Sequence, residues 1–184
     1  MKLIQFLQEK HDEDIEKKIS ELEKTAWFQI DNENFPSALN TYVTSFVFME
    51  NGEAISHVGI RKSILRHKGA EYLVYGLSEV VTRPEFRNRG LASILIKKAA
   101  KFIVSEKADL SIFTCAKEKV SFYEKGGWQA ISSCFVGGTK ENPFRADGLG
   151  LVTMAMFISQ KSKQNRKDFE NTDLFFELGK NQLW

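Results

Sequence analysis

The sequence predicts an α/β (α+β) fold, a mixed and mostly antiparallel sheet with helices against it. Three observations carry that expectation. Several runs rich in Val, Ile, Thr, Phe and Tyr are bounded by Gly, Asn or Pro, as strands are. Asp12–Lys24 and Leu91–Ser105 instead space their apolar residues for one face of a helix. The resulting order is strand, helix, antiparallel meander, helix, strand, helix, strands, with a strand–loop–helix at its centre.

Lys2–Leu7 reads as a short first strand. In Asp12–Lys24, Ile15, Ile19 and Leu22 make a narrow apolar stripe among charges, which suits a surface helix. Asp31–Pro36 is a loop by its Asn, Asp and Pro content. Thr41–Met49 is the next strand, and Asn51-Gly52 turns the chain because both residues tolerate positive φ. Ala54–Leu65 returns, His67-Lys68-Gly69 turns again, and Tyr72–Thr82 runs up to Pro84. Leu91–Ser105 follows as a helix, with Leu91, Ile94, Leu95, Phe102 and Ile103 inward and Lys97, Lys98 and Lys101 outward. Leu110–Thr114 is a short apolar strand. Glu118–Lys125 is a helix stopped by Gly126-Gly127. Trp128–Val136 and Leu149–Ser159 complete the strands. Lys161–Asn171 reads as a loop or short helix before the aromatic tail Leu174–Trp184.

One domain is expected over residues 1–184, because a chain of this length with 42% hydrophobic residues can bury a core without covalent staples. No repeat, low-complexity tract or linker divides it. With 26 basic and 24 acidic residues the formal charge is +2, so nothing draws the whole molecule to nucleic acid or an anionic membrane. The longest apolar stretch, Leu149–Ser159, is too short to span a bilayer, and the N-terminus turns charged at Glu9, too early for a secretory core. Cys115 and Cys134 are not closely spaced and no His-rich cluster accompanies them. They read as free thiols of a cytoplasmic protein, without disulfide or metal.

Chemistry concentrates in Val80–Ala92. A Val-rich strand enters a loop with Arg83, Arg87 and Arg89, and the loop opens a helix through Gly90 and Ala92. A helix start leaves backbone N–H groups unpaired and partially positive, which suits phosphate. Small residues let an anion approach the backbone, and the arginines add charge. The segment is neither a Walker loop nor a Gly-x-Gly-x-x-Gly dinucleotide turn. Arg-x-x-Gly-x-Ala after such a strand resembles motif A of the GCN5-related N-acetyltransferases. Phe122-Tyr123-Glu124-Lys125-Gly126-Gly127-Trp128 resembles the family's Phe-Tyr-x-x-x-Gly-Phe/Trp segment, and the element order agrees along nearly the whole chain.

The resemblance implies a central sheet of about six to seven strands, splayed between the fourth and fifth, and acetyl-CoA as co-substrate. Val80, Val81 and Thr82 would offer backbone groups to the pantetheine arm. Arg87, Asn88, Arg89, Gly90, Leu91 and Ala92 would cradle the pyrophosphate. Tyr123 would protonate the leaving thiolate, a reasonable acid role. The Asn that many relatives carry about two turns before this tyrosine is replaced by the run Cys115–Lys119. An amine of pKa roughly 10 must lose a proton before it attacks. Glu79 is one residue away from the family's usual base position, which Ser78 occupies. Strand alternation puts Glu79 on the wrong face unless a bulge intervenes. Glu79 and a solvent relay through Ser78 therefore both stand as bases. His11, His57 and His67 read as structural.

Within the family the pattern is nearest to aminoglycoside 2′-N-acetyltransferases, through the meander, the Asp147-Gly148 turn and a tail finishing at Trp184. The resemblance implies that Asp147 and the Trp184 carboxylate contact a small cationic amine, an aminoglycoside, other amino sugar or polyamine. Ser78 and Gln182 stand where acidic residues are expected, which weakens attraction for a polycation. A non-catalytic acyl-CoA sensor, or an enzyme acting on a peptide or protein amine, stays open, as does a homodimer.

Overall fold

The structure of the protein, a computed structural model, describes residues 1–10, 12–26, 42–180 and 182–184. His11, the loop expected at Asp31–Pro36 and the first residue of the strand expected from Thr41 lie outside the described residues. The chain divides into two compact units, Met1–Arg61 with Leu77–Ala99, and Lys62–Gly76 with Ala100–Trp184.

In the first unit β1 (Lys2–Leu7) pairs antiparallel with β2 (Tyr42–Glu50), from Lys2↔Met49 to Leu7↔Thr44. The left-handed turn at Asn51 and Gly52 (φ 52° and 85°) returns β2 into β3 (Glu53–His67), with Val47 opposite His57. Helix α1 (Glu13–Lys24) begins at Asp12, whose carboxylate accepts from the Ile15 N–H at 3.2 Å, a cap that satisfies one orphan donor. The stripe behaves as its spacing predicts: Ile19 and Leu22 are buried with Phe6, Val47, Ala54 and Val81, and Ile15 packs at the rim. Each fully buried aliphatic side chain contributes about 1.5–3 kcal/mol. The unit also holds the end of β4 (Ala70–Thr82) and most of α2 (Leu91–Ser105).

In the second unit a turn at Lys68-Gly69 (φ 46° and 79°) joins the end of β3 to the start of β4. β5 (Leu110–Ala116) lies parallel to β4 only at Val74↔Leu110 and Tyr75↔Ser111, so the two strands part after Tyr75. On its other side β5 pairs antiparallel along its whole length with β9 (Leu151–Phe157). Asp109 fastens these strands. Its carboxylate accepts from Leu73 N–H (2.8 Å), Ser159 Oγ (2.6 Å) and Lys161 Nζ (2.8 Å). The seven-stranded sheet runs β1-β2-β3-β4-β5-β9-β6 and is mostly antiparallel, with β4 and β5 parallel. That architecture is the expected one.

The stretch Trp128–Val136 is not the single strand its composition predicts. It divides into β6 (Gln129–Ala130), which pairs with β9, and β7 (Cys134–Gly138), which belongs to a second, three-stranded sheet. The break falls at two serines whose hydroxyls serve other backbone: Ser133 Oγ donates to Phe169 O (2.7 Å), and Ser132 Oγ accepts from Asn171 N–H (3.0 Å). Such bonds compete with a strand ladder. β7 pairs antiparallel with β8 (Pro143–Arg145) and parallel with β10 (Asp173–Phe175). The polar run Lys161–Asn171 contains α4 (Gln160–Gln164), capped by Ser159, and a 3-10 turn at Arg166–Phe169. Helix α3 (Val120–Glu124) is shorter than predicted, because Lys117–Lys119 ahead of it is a 3-10 turn. Among the described residues no helix is long and apolar enough to cross a membrane.

Candidate active site

The first unit carries the candidate anion cradle. After β4, Pro84–Phe86 makes a 3-10 turn, Arg87 is extended, and Asn88 and Gly90 are left-handed (φ 59° and 77°). Gly90 O accepts from Ile94 N–H at 3.1 Å, so Gly90 stands immediately before α2 and the first-turn amides lack helical acceptors. A Cβ on Gly90 would meet nothing within 4 Å, which leaves room in front of those amides. Two of the three arginines keep their charge for a ligand. Arg83 is paired with Glu53 (3.2 Å), whereas Arg87 Nε donates to the Thr82 carbonyl (3.1 Å) and Arg89 Nη2 to the Glu85 carbonyl (2.9 Å). Arg89 also lies over the Phe86 ring, 4.9 Å from its centroid. Leu91 is buried and anchors the helix start. This combination of open amides, two cations and no side chain at Gly90 fits a pyrophosphate.

The β4 residues before the cradle are held from β3. Val81 is in the apolar core and Ser78 is buried. Ser56 Oγ bonds Thr82 Oγ1 at 2.7 Å and reaches Val81 O at 3.2 Å. Glu79 interrupts the alternation: its φ is +49°, left-handed, as a bulge residue can be. Its side chain pairs with Arg61, Nη2 to Oε1 at 2.8 Å, with both groups almost fully buried. Its backbone carbonyl lies 3.0 Å from His57 Nδ1, and His57 Nε2 lies 2.8 Å from Ser45 Oγ. Glu23, buried at the end of α1, brings Oε1 to 3.2 Å from the same Nδ1. Burial, with the Glu79 charge adding, pushes the Glu23 carboxyl up to about 10, and burial pushes His57 down to about 4. At neutral pH this pair is a protonated acid beside a neutral imidazole.

Sequence reasoning missed Arg61, Glu23 and Ser45, and read His57 as merely structural. The signal for Glu23 is its phase: it stands four residues after Ile19, on the apolar side of α1. His57 and Arg61 are four apart on β3, hence on one face. The pairing partner Glu79 is invisible without the fold.

The second unit carries the candidate acid. Tyr123 on α3 is buried, its ring edge-on to Phe113 (4.8 Å) and Phe122 (5.0 Å), and Phe113 meets Trp128 at 5.5 Å. Trp128 Nε1 donates to Ser111 Oγ at 2.9 Å. Burial, with Cys115 nearby, holds the Tyr123 phenol well above the usual range, and burial pushes the Cys115 thiol up to about 11. Both groups therefore keep their protons, and the phenol can serve as a donor. Asp147 is exposed in a 3-10 turn and accepts twice from Arg145, at 3.1 and 2.8 Å, which holds its carboxyl below the ordinary range. Arg145 also binds Asp173, so two carboxylates share one guanidinium and leave one net negative charge. Trp184 is buried against Phe176 (5.4 Å) and Phe135 (6.2 Å), and its carbonyl accepts from Thr114 N–H at 2.8 Å. It packs as a core aromatic, flush on Gly76. Among the described residues no group of His, Cys, Asp or Glu could hold a metal.

Residues 10–131 match the family model described as an acetyltransferase (GNAT) domain. No curated protein matches the chain. Among solved structures, Escherichia coli ElaA is similar at a TM-score of 0.61 and 12% identity, over 84% of this chain and 98% of ElaA. A GNAT family acetyltransferase from Brucella melitensis in complex with acetyl-CoA is similar at 0.55 and 18% identity, over 70% of this chain and 84% of that one. A probable N-acyltransferase from Enterococcus faecalis V583 is similar at 0.59 and 20% identity, over 71% of this chain. The chain spans about a third of the Enterococcus protein, 32% of its length. At these identities the likeness is one of fold.

Proposed function

Because the chain belongs to the GNAT acetyltransferase domain family, we propose that it transfers the acetyl group of acetyl-CoA directly to a primary amine, acting in the cytoplasm as one domain over Met1–Trp184. The carrying observation is the cradle: open amides at the start of α2, left-handed Gly90 with free space beside it, and Arg87 and Arg89 bonded to carbonyls and to no carboxylate among the described residues. The acetyl-CoA of the Brucella structure is consistent with this use of the same fold.

Acetyl-CoA supplies the activated acetyl group. Arg87, Asn88, Arg89, Gly90, Leu91 and Ala92 hold its pyrophosphate, and Val80, Val81 and Thr82 line the pantetheine. The Val81 and Thr82 carbonyls also accept from Ser56 Oγ and Arg87 Nε. Glu79 takes a proton from the acceptor ammonium, or a water held at Ser78 carries it away. The neutral amine attacks the thioester carbon, the C–S bond breaks as Tyr123 gives its proton to the departing sulfur, and the second proton leaves the amide nitrogen to restore the tyrosine. The products are an amide and free CoA thiol. The acceptor is a small cationic amine, an amino sugar such as an aminoglycoside or a polyamine, contacted by Asp147 and Trp184. The Arg145 clamp on Asp147 argues for modest attraction and hence for few charges on that acceptor.

A second reading, an acyl-CoA sensor without turnover, is favoured by one observation: the buried Arg61–Glu79 pair engages the carboxylate that would act as base. Titration calorimetry with acetyl-CoA tests the shared premise, and absence of binding at millimolar ligand removes both readings. Thiol release across a panel of amines, amino sugars, polyamines and peptides separates them. Acceptor-dependent release that needs Tyr123 establishes the enzyme.

A further inference from the structure

We propose that a recess beside the end of β6 binds a free α-amino acid with an apolar side chain, its carboxylate on Arg166 and its ammonium on Glu170. The site lies wholly within the second unit and is independent of the acetyl-CoA reading above.

The recess has a volume of about 450 Å³, its open mouth included. Its lining comes from the end of β6 through Ser132, from Phe157 at the end of β9, and from Arg166, Phe169 and Glu170. These parts are tied together immediately beside it. Ser133 Oγ donates to Phe169 O at 2.7 Å, and Asn171 N–H donates to Ser132 Oγ at 3.0 Å. A site braced in this way loses little freedom on binding. Phe169 is fully buried and its ring meets Phe157 edge-on at 5.3 Å, which gives the recess an apolar floor.

Two opposite charges line this recess without meeting. Nearby carboxylates are taken, Asp168 by Lys68 and Asp173 by Arg145. Arg166 and Glu170 make no ion pair with each other or with any other described residue. The Arg166 guanidinium instead lies over the Phe157 ring, 5.2 Å from its centroid. That contact holds the cation in place and leaves its N–H donors for a ligand. Ser132 Oγ accepts from Asn171 and keeps its own hydrogen to donate. β6 ends the sheet order, and Ile131 N–H is spent on Thr153 O at 3.0 Å. By antiparallel alternation Ala130, opposite Met154, therefore turns its N–H and C=O to the open edge.

These groups select the ligand. A carboxylate takes paired N–H bonds from a guanidinium, with the Ser132 hydroxyl beside it. An ammonium needs acceptors, which Glu170 and the Ala130 carbonyl supply. A molecule with both charges on one carbon bridges an Arg and a Glu that do not reach each other, and the zwitterion of an α-amino acid is that molecule. The aromatic floor takes its side chain out of water.

NMR titration of the full chain with L-leucine, glycine, N-acetyl-L-leucine and L-leucinamide reads each contact separately. Leucine is expected to bind, and glycine about three- to tenfold more weakly for want of a side chain. N-acetyl-L-leucine, without the ammonium, and leucinamide, without the carboxylate, should each bind about tenfold more weakly than leucine. Glu170→Gln should weaken leucine by about three- to tenfold and leave N-acetyl-L-leucine unchanged, and Arg166→Gln should weaken leucine equally and leave leucinamide unchanged. Both side chains are exposed, so both variants should melt as wild type does, and the ligand series on wild type decides the matter without them. No binding at millimolar leucine overturns the inference. So does N-acetyl-L-leucine binding as tightly as leucine, the mark of a site for a peptide C-terminus. Leucine affinity unchanged in both variants, the mark of an adventitious contact, overturns it too. A wild type that takes leucine but no acetyl-CoA supports this site and removes only the catalytic reading.

Discussion

Replacing Gly90 separates backbone strain from charge. Any side chain there must adopt φ 77°, which costs about 1–2 kcal/mol for an L-residue. For a chain of 184 residues that lowers Tm by about 2–8 °C. Steric conflict adds nothing in the free protein, because the new Cβ meets no atom within 4 Å. Gly90→Glu and Gly90→Lys should therefore melt alike, and a difference between them in ligand affinity reports charge. One carboxylate about 6 Å from one phosphate charge is repelled by about 0.7 kcal/mol in water and about 2.8 kcal/mol at an effective dielectric of about 20. Two phosphate charges double that, to about 1.4–5.6 kcal/mol, or a tenfold loss at the least. Titration of both variants with CoA at low salt should show Gly90→Glu at least tenfold weaker than Gly90→Lys. The gap should shrink as salt screens it. Equal affinities in two folded variants would refute the placement of the pyrophosphate at this helix start.

Three further outcomes are expected. Gly76→Ala should destabilise by about 1–3 kcal/mol by overpacking, because the new Cβ would sit 2.4 Å from the Trp184 ring and 2.6 Å from Ile112 O. Gly148→Ala, which meets nothing within 4 Å, is the near-neutral control in the same chemical melts. Tyr123→Phe should keep acetyl-CoA affinity and lower kcat by about 10²–10⁴ in the thiol-release assay, since the ring packing on Phe113 survives and only the proton donor is lost. Glu23→Gln should change the pH profile of stability. The Glu23 carboxyl rises from 4.5 to about 10 on folding, so the native state binds the extra proton and stability falls as pH rises through that window. His57 falls from 6.5 to about 4, so its contribution rises with pH between those values and offsets Glu23 there. Urea melts of Glu23→Gln should accordingly gain stability between about pH 4 and 6.5, where wild type is flatter, and should exceed wild type at pH 8. A mutant less stable than wild type at pH 8 contradicts a protonated Glu23.

Local chemistry wrote several elements legibly. Asn51-Gly52 and Lys68-Gly69 turn where expected, because left-handed backbone there needs only short-range compatibility. Helix α2 spans the predicted Leu91–Ser105, since its apolar spacing is long and regular. The cradle was legible for the same reason: a strand, an arginine loop, a glycine and a helix start are consecutive in the chain, so their arrangement hardly depends on the rest of the fold. Trp128–Val136 misled because its composition suits a strand, while the break at Ser132-Ser133 depends on Phe169 and Asn171, nearly forty residues on.

What the sequence determined by itself is thus most of the elements and their order, and a loop, glycine and helix start whose parts are neighbours in the chain. Tertiary structure alone decided the left-handed backbone at Glu79, its hold by Arg61 and His57, the burial of Glu23, the clamp of Arg145 on Asp147 and the packing of Trp184 on Gly76. The physical reason is range. Propensity and periodicity act over a few residues, whereas burial and ion pairing depend on which distant strands meet, and these set whether a carboxyl is charged and where it can act.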